Sequence, residues 1–351
     1  MLYVVNHRRQ GTIGKVSPDA TRSDFFAELP AGSIGNAIRF GGDGRMYVAD
    51  YKKHNVFVFE SGSNEPHVYF HSDEFNQPND LTISTNSTIY ASDPRWRRRD
   101  GQIWRITRGP DGKGRGEVMS SQRKMGTTNG IDLSPDEKTL YVGESETRQI
   151  WTYRVDGANL TAARLVKTFT DFSLDGLRTD IIGRLFVARI LKGTVAVLSA
   201  DGKIEREILL QEKEPTNLAF GGSDGRTVYV TQRRGGFIET FRADQPGREY
   251  CLQKRANRLD LASPALAAIV SSLALPTISC VERPGMAALE RPSAMLGREW
   301  RPVFIRGMTP NKPHGAPRRT GPAENRLKLN IFKPCVDASA SQPTTRKPKS
   351  R

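Results

Sequence analysis

Apolar residues in the first 250 positions either alternate with polar ones or form short β-branched and aromatic runs, and nowhere there do they keep a helical spacing. Residues 125–145, MGTTNGIDLSPDEKTLYVGES, show the unit. A strand from Gly130 to Leu133 is predicted, then a turn through Ser134-Pro135-Asp136-Glu137, then a strand ending at Tyr141-Val142. Pro135 stands where a turn wants φ pre-set, and Ser134 and Asp136 offer oxygens to the local backbone. The unit recurs as GNAIRFGGDGRMYVAD from Gly35, PNDLTISTNSTIYASD from Pro78, LDGLRTDIIGRLFVAR from Leu174 and PTNLAFGGSDGRTVYVTQ from Pro215. Each copy opens on a small polar residue: Asn36, Asn79, Asn129, Asp175 and Asn217. Their spacings of 43, 50, 46 and 42 residues match the four-stranded blade of a β-propeller.

Further strands follow each hairpin. They are NVFVFE and HVYFH in the second blade, QIWRIT in the third, IWTYRVD and LVKTFT in the fourth, and TVAVLSADG and IEREILL in the fifth. The sixth has FIETFRAD and a last strand expected near Arg248-Glu249-Tyr250. The chain opens on LYVVN, which aligns with the second strand of a blade. TIGKVSPD and FFAELP supply that blade's outer strands, and its innermost strand is expected ahead of Met1. The expected architecture is therefore all-β: a six-bladed propeller with an incomplete first blade over residues 1–250.

Charge divides the chain in two. The net +15 resolves into +3 over residues 1–250 and +12 over residues 251–351, which also hold 12 of the 21 prolines and all three cysteines. The repeat region is nearly neutral. The basic, Pro-rich segment 251–351 is expected to be a disordered tail unrelated to the fold. Cys251, Cys280 and Cys335 make neither a disulfide framework nor a zinc site. No secretory signal is visible, and the apolar run from Ala265 to Pro276 is too short to span a bilayer. A cytoplasmic monomer with no membrane or specific nucleic-acid partner is expected.

Inner strands of a propeller converge on its axis, so the five openers would ring one end of the channel with side-chain oxygens. Such donors suit Ca²⁺ over a transition metal. The same residue types also serve ordinary turns. Arg95-Trp96-Arg97-Arg98-Arg99 reads as a solvated loop near the pocket, and Trp104 and Trp151 as packing between blades. No histidine has metal spacing or a nucleophile elbow to serve.

The wording PNDL, TTNGIDLSPDEKTLYV, LDGLRTD and PTNLAFGGSDGRTVYVT resembles the senescence-marker-protein (regucalcin)/gluconolactonase family of six-bladed calcium propellers over roughly residues 1–250. The resemblance implies a Ca²⁺-dependent lactonase, with Mg²⁺, Mn²⁺ or Zn²⁺ as alternative metals and a small lactone or related ester as substrate. It makes Asn129 and Asp175 metal ligands, Asn79 a ligand of metal or substrate, and Asp80 the supporting neighbour of Asn79 on the substrate side. Asp175 is also the implied catalytic residue, activating water or attacking directly. The family's remaining carboxylate ligand, a Glu, opens the first blade and is expected ahead of Met1. Gln77 stands where some sugar lactonases carry Arg. The alternative reading is a non-catalytic or decayed propeller kept as a binding or scaffold module.

Overall fold

A computed structural model describes residues 1–6, 9–17, 22–252 and 254, all within the unit Met1–Met308. Six sheets, antiparallel but for one short edge strand, follow one another along it. The first holds β1 (Leu2–Val5), β2 (Thr12–Val16) and β3 (Ser23–Glu28); the second holds β4 (Gly35–Phe40), β5 (Met46–Asp50), β6 (Asn55–Phe59) and β7 (His67–His71). The third is built from β8 (Leu81–Ile83), β9 (Ile89–Asp93), β10 (Gln102–Arg108) and β11 (Gly114–Val118). In the fourth, a short β12 (Ser120–Ser121) precedes β13 (Thr128–Leu133), β14 (Thr139–Glu144), β15 (Gln149–Asp156) and β16 (Asn159–Thr168). The fifth comprises β17 (Leu177–Thr179), β18 (Leu185–Arg189), β19 (Thr194–Leu198) and β20 (Ile204–Leu209), and the sixth β21 (Pro215–Gly221), β22 (Thr227–Gln232) and β23 (Phe237–Arg242).

This is the expected all-β, six-bladed propeller. The inner strands pack in succession, β4 on β8, β8 on β13, β13 on β17 and β17 on β21, with β1 against β4. Exposure is concentrated in the outermost strands. β5, β9 and β18, the second strands of their blades, are buried throughout, whereas β20 is almost wholly exposed. A strand covered on both faces by neighbouring blades needs no polar side, so these segments read as apolar runs rather than alternations. Two strands were not foreseen: β11, the outer strand of the third blade, and β12, which adds to the edge of the fourth blade, parallel to β16.

The inner hairpins share one turn. Gly44, Ser87, Glu137, Gly183 and Gly202 each donate a backbone N–H to the carbonyl three residues earlier and sit at positive φ; the last of these turns an outer hairpin. Glu137, at φ 60°, has no glycine's freedom there. Its carboxylate offsets the strain by accepting from the Thr85 backbone N–H (2.9 Å), the Thr85 hydroxyl (2.9 Å) and Arg248 (3.1 Å).

The last described segment departs from expectation. Residues 248–252 form a helical turn, not a strand. Ile181 donates its N–H to the Pro246 carbonyl, and Gly247 bridges Asp180, so the chain is led under the base of the propeller. Arg248 is buried there, donating to the Thr82 hydroxyl (2.9 Å), the Ile83 carbonyl (2.9 Å) and Asp132 (3.3 Å). The sequence could not signal this, because an isolated Arg-Glu-Tyr has no periodicity, and the charges it meets lie far off in the chain. The expected tail over residues 251–351 lies outside the described residues except for residues 251, 252 and 254. Among the described residues no helix is long and apolar enough to cross a membrane.

Two buried carboxylates tie the blades at different depths of the axis. Asp80, wholly buried, accepts from Arg39 (2.5 Å) and from both terminal nitrogens of Arg178 (2.9 and 3.0 Å). Asp132 accepts from the Thr82 hydroxyl (2.7 Å) and from the Thr179 backbone N–H (2.8 Å) and hydroxyl (3.0 Å), besides Arg248. Removing one partner of such a pair strands the other charge in the interior, at a cost of about 3–5 kcal/mol. Asp80→Asn should therefore lower the free energy of unfolding by about 3–5 kcal/mol in urea titrations, and a variant as stable as the parent would refute this role. Arg248→Ala should cost about 3 kcal/mol, because Asp132 keeps its threonine donors; an unchanged midpoint would show that the helical turn is not a fastening.

Candidate active site

The openers reach the axis by two routes. In β4, β13 and β21 a register shift lies at the entrance, between Gly35 and Ile38, Thr128 and Ile131, and Pro215 and Asn217. A bulge turns a side chain out of the ladder, and here Asn36 and Asn129 fall inside the shifts. Asn79 with Asp80, and Asp175 with Gly176, instead stand just ahead of the short strands β8 and β17.

Hydrogen bonds run from opener to opener. Asn36 donates its side-chain amide to the Asn79 carbonyl (2.8 Å), Gly130 its N–H to the Asp175 carbonyl (3.2 Å), and Gly176 its N–H to the Thr216 carbonyl (2.8 Å). The approach is close. A Cβ on Gly130 would lie 2.4 Å from the Asp175 carbonyl oxygen, and one on Gly176 would lie 2.2 Å from Asn217 Oδ1, so both positions need glycine.

Within this ring each residue is held differently. Asn129 is buried; its Nδ2 donates to Ser145 Oγ (2.9 Å), which in turn donates to the Leu174 carbonyl (2.8 Å). That chain fixes the amide and leaves Asn129 Oδ1 buried without a hydrogen-bond partner. A buried bare acceptor costs free energy unless something meets it. Asp175 lies beside it, partly accessible. Burial, then the neighbouring Asp80 charge, push its carboxyl up to about 7, against the opposing pull of the Asn129 amide and of Arg233. Asn79 is buried at the same level, its N–H donated to the Ser92 carbonyl (2.8 Å).

Asp80 is wholly buried and both its oxygens are taken by Arg39 and Arg178, so in this geometry it has no free atom to offer a substrate. Asn36, by contrast, is exposed, and takes part only at the rim. Asn217 is half-buried; its Oδ1 accepts from Arg178 (3.0 Å) and from the Leu218 N–H (2.9 Å).

Tyr51, which the repeat pattern did not single out, joins Gln77 and Trp96, which the sequence had marked. Tyr51 hydrogen-bonds Gln77 and Trp96, and burial, opposed by those bonds, raises its phenol above the ordinary value. The basic loop is partly ordered by charge: Arg95 meets Asp100 at 3.5 Å and Arg99 meets Glu146 at 3.1 Å. Trp104 is a blade contact, 4.8 Å from the Phe75 ring, while Trp151 carries the Arg123 guanidinium 3.8 Å above its ring.

Among the described residues no three His, Cys, Asp or Glu gather as a metal cage. The ring offers a different donor set: one carboxylate and amide oxygens, one of them bare and buried. Hard oxygen donors of this kind fit a calcium-like ion, and the orphaned Asn129 Oδ1 is what such an ion would satisfy. Asn129 and Asp175 are brought together as the sequence suggested, with Asn79 on the same ring.

Known proteins agree with this architecture. Residues 3–234 match the SMP-30/gluconolactonase/LRE-like region. The chain is 27% identical over 252 residues to a gluconolactonase of Zymomonas mobilis, covering 62% of this chain and 68% of that protein. It is 31% identical over 179 residues to a 6-deoxy-6-sulfogluconolactonase of Pseudomonas putida, covering 49% of this chain and 60% of that one. Among solved structures, a gluconolactonase from Xanthomonas campestris superposes with a TM-score of 0.53 at 19% identity, covering 63% of this chain and 75% of that one. A calcium-binding regucalcin from Agrobacterium tumefaciens does so with a TM-score of 0.54 at 19% identity, covering 64% and 76%. At that identity the superpositions speak for the fold, and the match along residues 3–234 speaks for descent: the chain belongs to the SMP-30/gluconolactonase/LRE-like family.

Proposed function

We propose that this protein hydrolyses the ester bond of a sugar lactone at the propeller axis, with a divalent cation, Ca²⁺ in the first instance, held by Asn129, Asp175 and Asn79. The observation that carries the reading is the buried, unpartnered Oδ1 of Asn129 beside the Asp175 carboxyl. When bound, the cation supplies Lewis-acid polarisation of the lactone carbonyl.

The chain's own groups do the rest. Ser145 and the Leu174 carbonyl keep the Asn129 amide from turning, so its oxygen stays clear of protein donors. Asp175 takes the proton of the water that adds to the carbonyl carbon, or adds to that carbon itself; either role needs a carboxylate on this ring. Arg39 and Arg178 hold Asp80 beneath, which keeps the floor of the well rigid and dry. Tyr51, Gln77 and Trp96 give the mouth hydroxyl, amide and aromatic surfaces, a mixture that suits a polyhydroxylated ring. The relatives named for gluconolactone and for a sulfonated gluconolactone support that substrate class.

The alternative is a propeller that binds without turnover, and the observation in its favour is the single carboxylate, Asp175, on the described ring. One charge facing a doubly charged ion implies weak binding, roughly 0.1–1 mM.

Calorimetry of the full chain with CaCl₂ tests the metal, and a proton-release assay with gluconolactone tests the reaction. Calcium binding in the wild type that weakens at least tenfold in Asn129→Ala is expected; equal affinity in both would remove Asn129 from the site. Asp175→Asn should lower kcat by about 100-fold or more. Calcium binding with no lactone opened would favour the binding module, and no calcium binding at all would leave the openers as turn residues.

A further inference from the structure

The second face of the ring, on blades five and six, holds a polar group that the catalytic reading leaves unused. Asn217 enters the axis on β21, opposite the blades that carry Asn79. Its Oδ1 is committed twice, to Arg178 (3.0 Å) and to the Leu218 N–H (2.9 Å). Both of those are donors, so the amide has one orientation: oxygen toward the buried floor, nitrogen away from it. Arg178 is itself 2% exposed and is clamped on Asp80 by two bonds, so the orientation is set by a rigid group. The backbone adds to this. Asn217 donates its own N–H to Thr231 Oγ1 (3.1 Å), and the absent Cβ of Gly176 makes room for its Oδ1. Among the described residues no group accepts from Asn217 Nδ2, and the residue is half-buried, so that donor is left without a protein partner on a residue that water can reach.

We propose that Asn217 is a specificity-determining donor of the site: held by Arg178, its Nδ2 hydrogen-bonds an oxygen of the bound lactone. Arg178 is then a positioning residue that touches no substrate. The proposal rests on the lactonase reading and adds to it a contact from the blade opposite Asn79. An amide fixed in this way discriminates, because a substrate presenting a donor or an apolar carbon at that place leaves Nδ2 unpaired on losing its water.

Asn217→Asp removes the donor but adds a charge that repels anionic gluconate, so the uncharged Asn217→Ala, expected to show the same loss, is measured beside it. The carboxylate keeps an acceptor for Arg178 and for the Leu218 N–H, so the fold is retained, but the N–H₂ is gone. Calorimetry with gluconate, the product of gluconolactone opening, and steady-state hydrolysis of gluconolactone are measured on the wild type, Asn217→Asp, Asn217→Ala and Arg178→Lys. Expected for Asn217→Asp is a roughly 10- to 100-fold loss in kcat/KM and a matching loss of gluconate affinity, with calcium affinity equal to or above that of the wild type. Arg178→Lys, which keeps the charge but not the bridging fork, should raise KM more than it lowers kcat, as the amide loses its fixed orientation. Wild-type kinetics and gluconate binding in Asn217→Asp would overturn the proposal and leave the lactonase reading standing. A wild type that neither binds gluconate nor opens the lactone would overturn both.

Discussion

The Asp80 carboxylate, sealed at the axis between two arginines, is the interaction on which the molecule turns. Arg39 comes from the second blade, Asp80 from the third and Arg178 from the fifth, and Arg178 goes on to Asn217 of the sixth. A propeller has no central core of its own; its apolar clusters lie between blades, as with Tyr47, Phe70, Phe75 and Trp104. Something polar has to occupy the place where inner strands meet, since their first residues carry Asn and Asp. An ion pair answers that need only if its hydrogen bonds are complete, because desolvating the charges is costly. Here the carboxylate accepts three bonds from guanidinium groups and one from the Leu81 N–H.

That arrangement also sets the electrostatics of the ring above it. Burial disfavours ionisation of Asp175, and the neighbouring Asp80 charge disfavours it further. Beside it Asn129 leaves its side-chain oxygen buried without a hydrogen-bond partner. The lower carboxylate, Asp132, plays the equivalent part at the base, gathering threonines from blades three and five and the guanidinium of Arg248.

Much of this was legible in the sequence because it is local. A hairpin of known turn chemistry, repeated at blade-like spacing, gives the strands, their order and the residues that open them. Asn129 and Asp175 could be named as a pair because each opens a hairpin of the same wording. The supporting residues were not legible for the opposite reason: Arg178 meets Asp80 across 98 positions and Arg248 meets Asp132 across 116. A signal did exist. AIRF and GLRT each set an arginine within an apolar inner strand, where no solvent face is available to it. The strand expected at Arg248 failed because a short polar segment takes its form from the charges it is docked against.

The contrast between enclosed middle strands and an exposed outer strand bears on how such a chain can change over time. Residues on β5, β9 and β18 are enclosed on both faces, whereas β20 presents nearly every side chain to water. Substitution is therefore constrained by radius rather than by position along the chain, and each blade passes from a strict segment to a permissive one. Two descendants can drift apart over most of their length while the inner hairpins keep the ring in register. A superposable propeller at 19% identity is the natural result of that geometry.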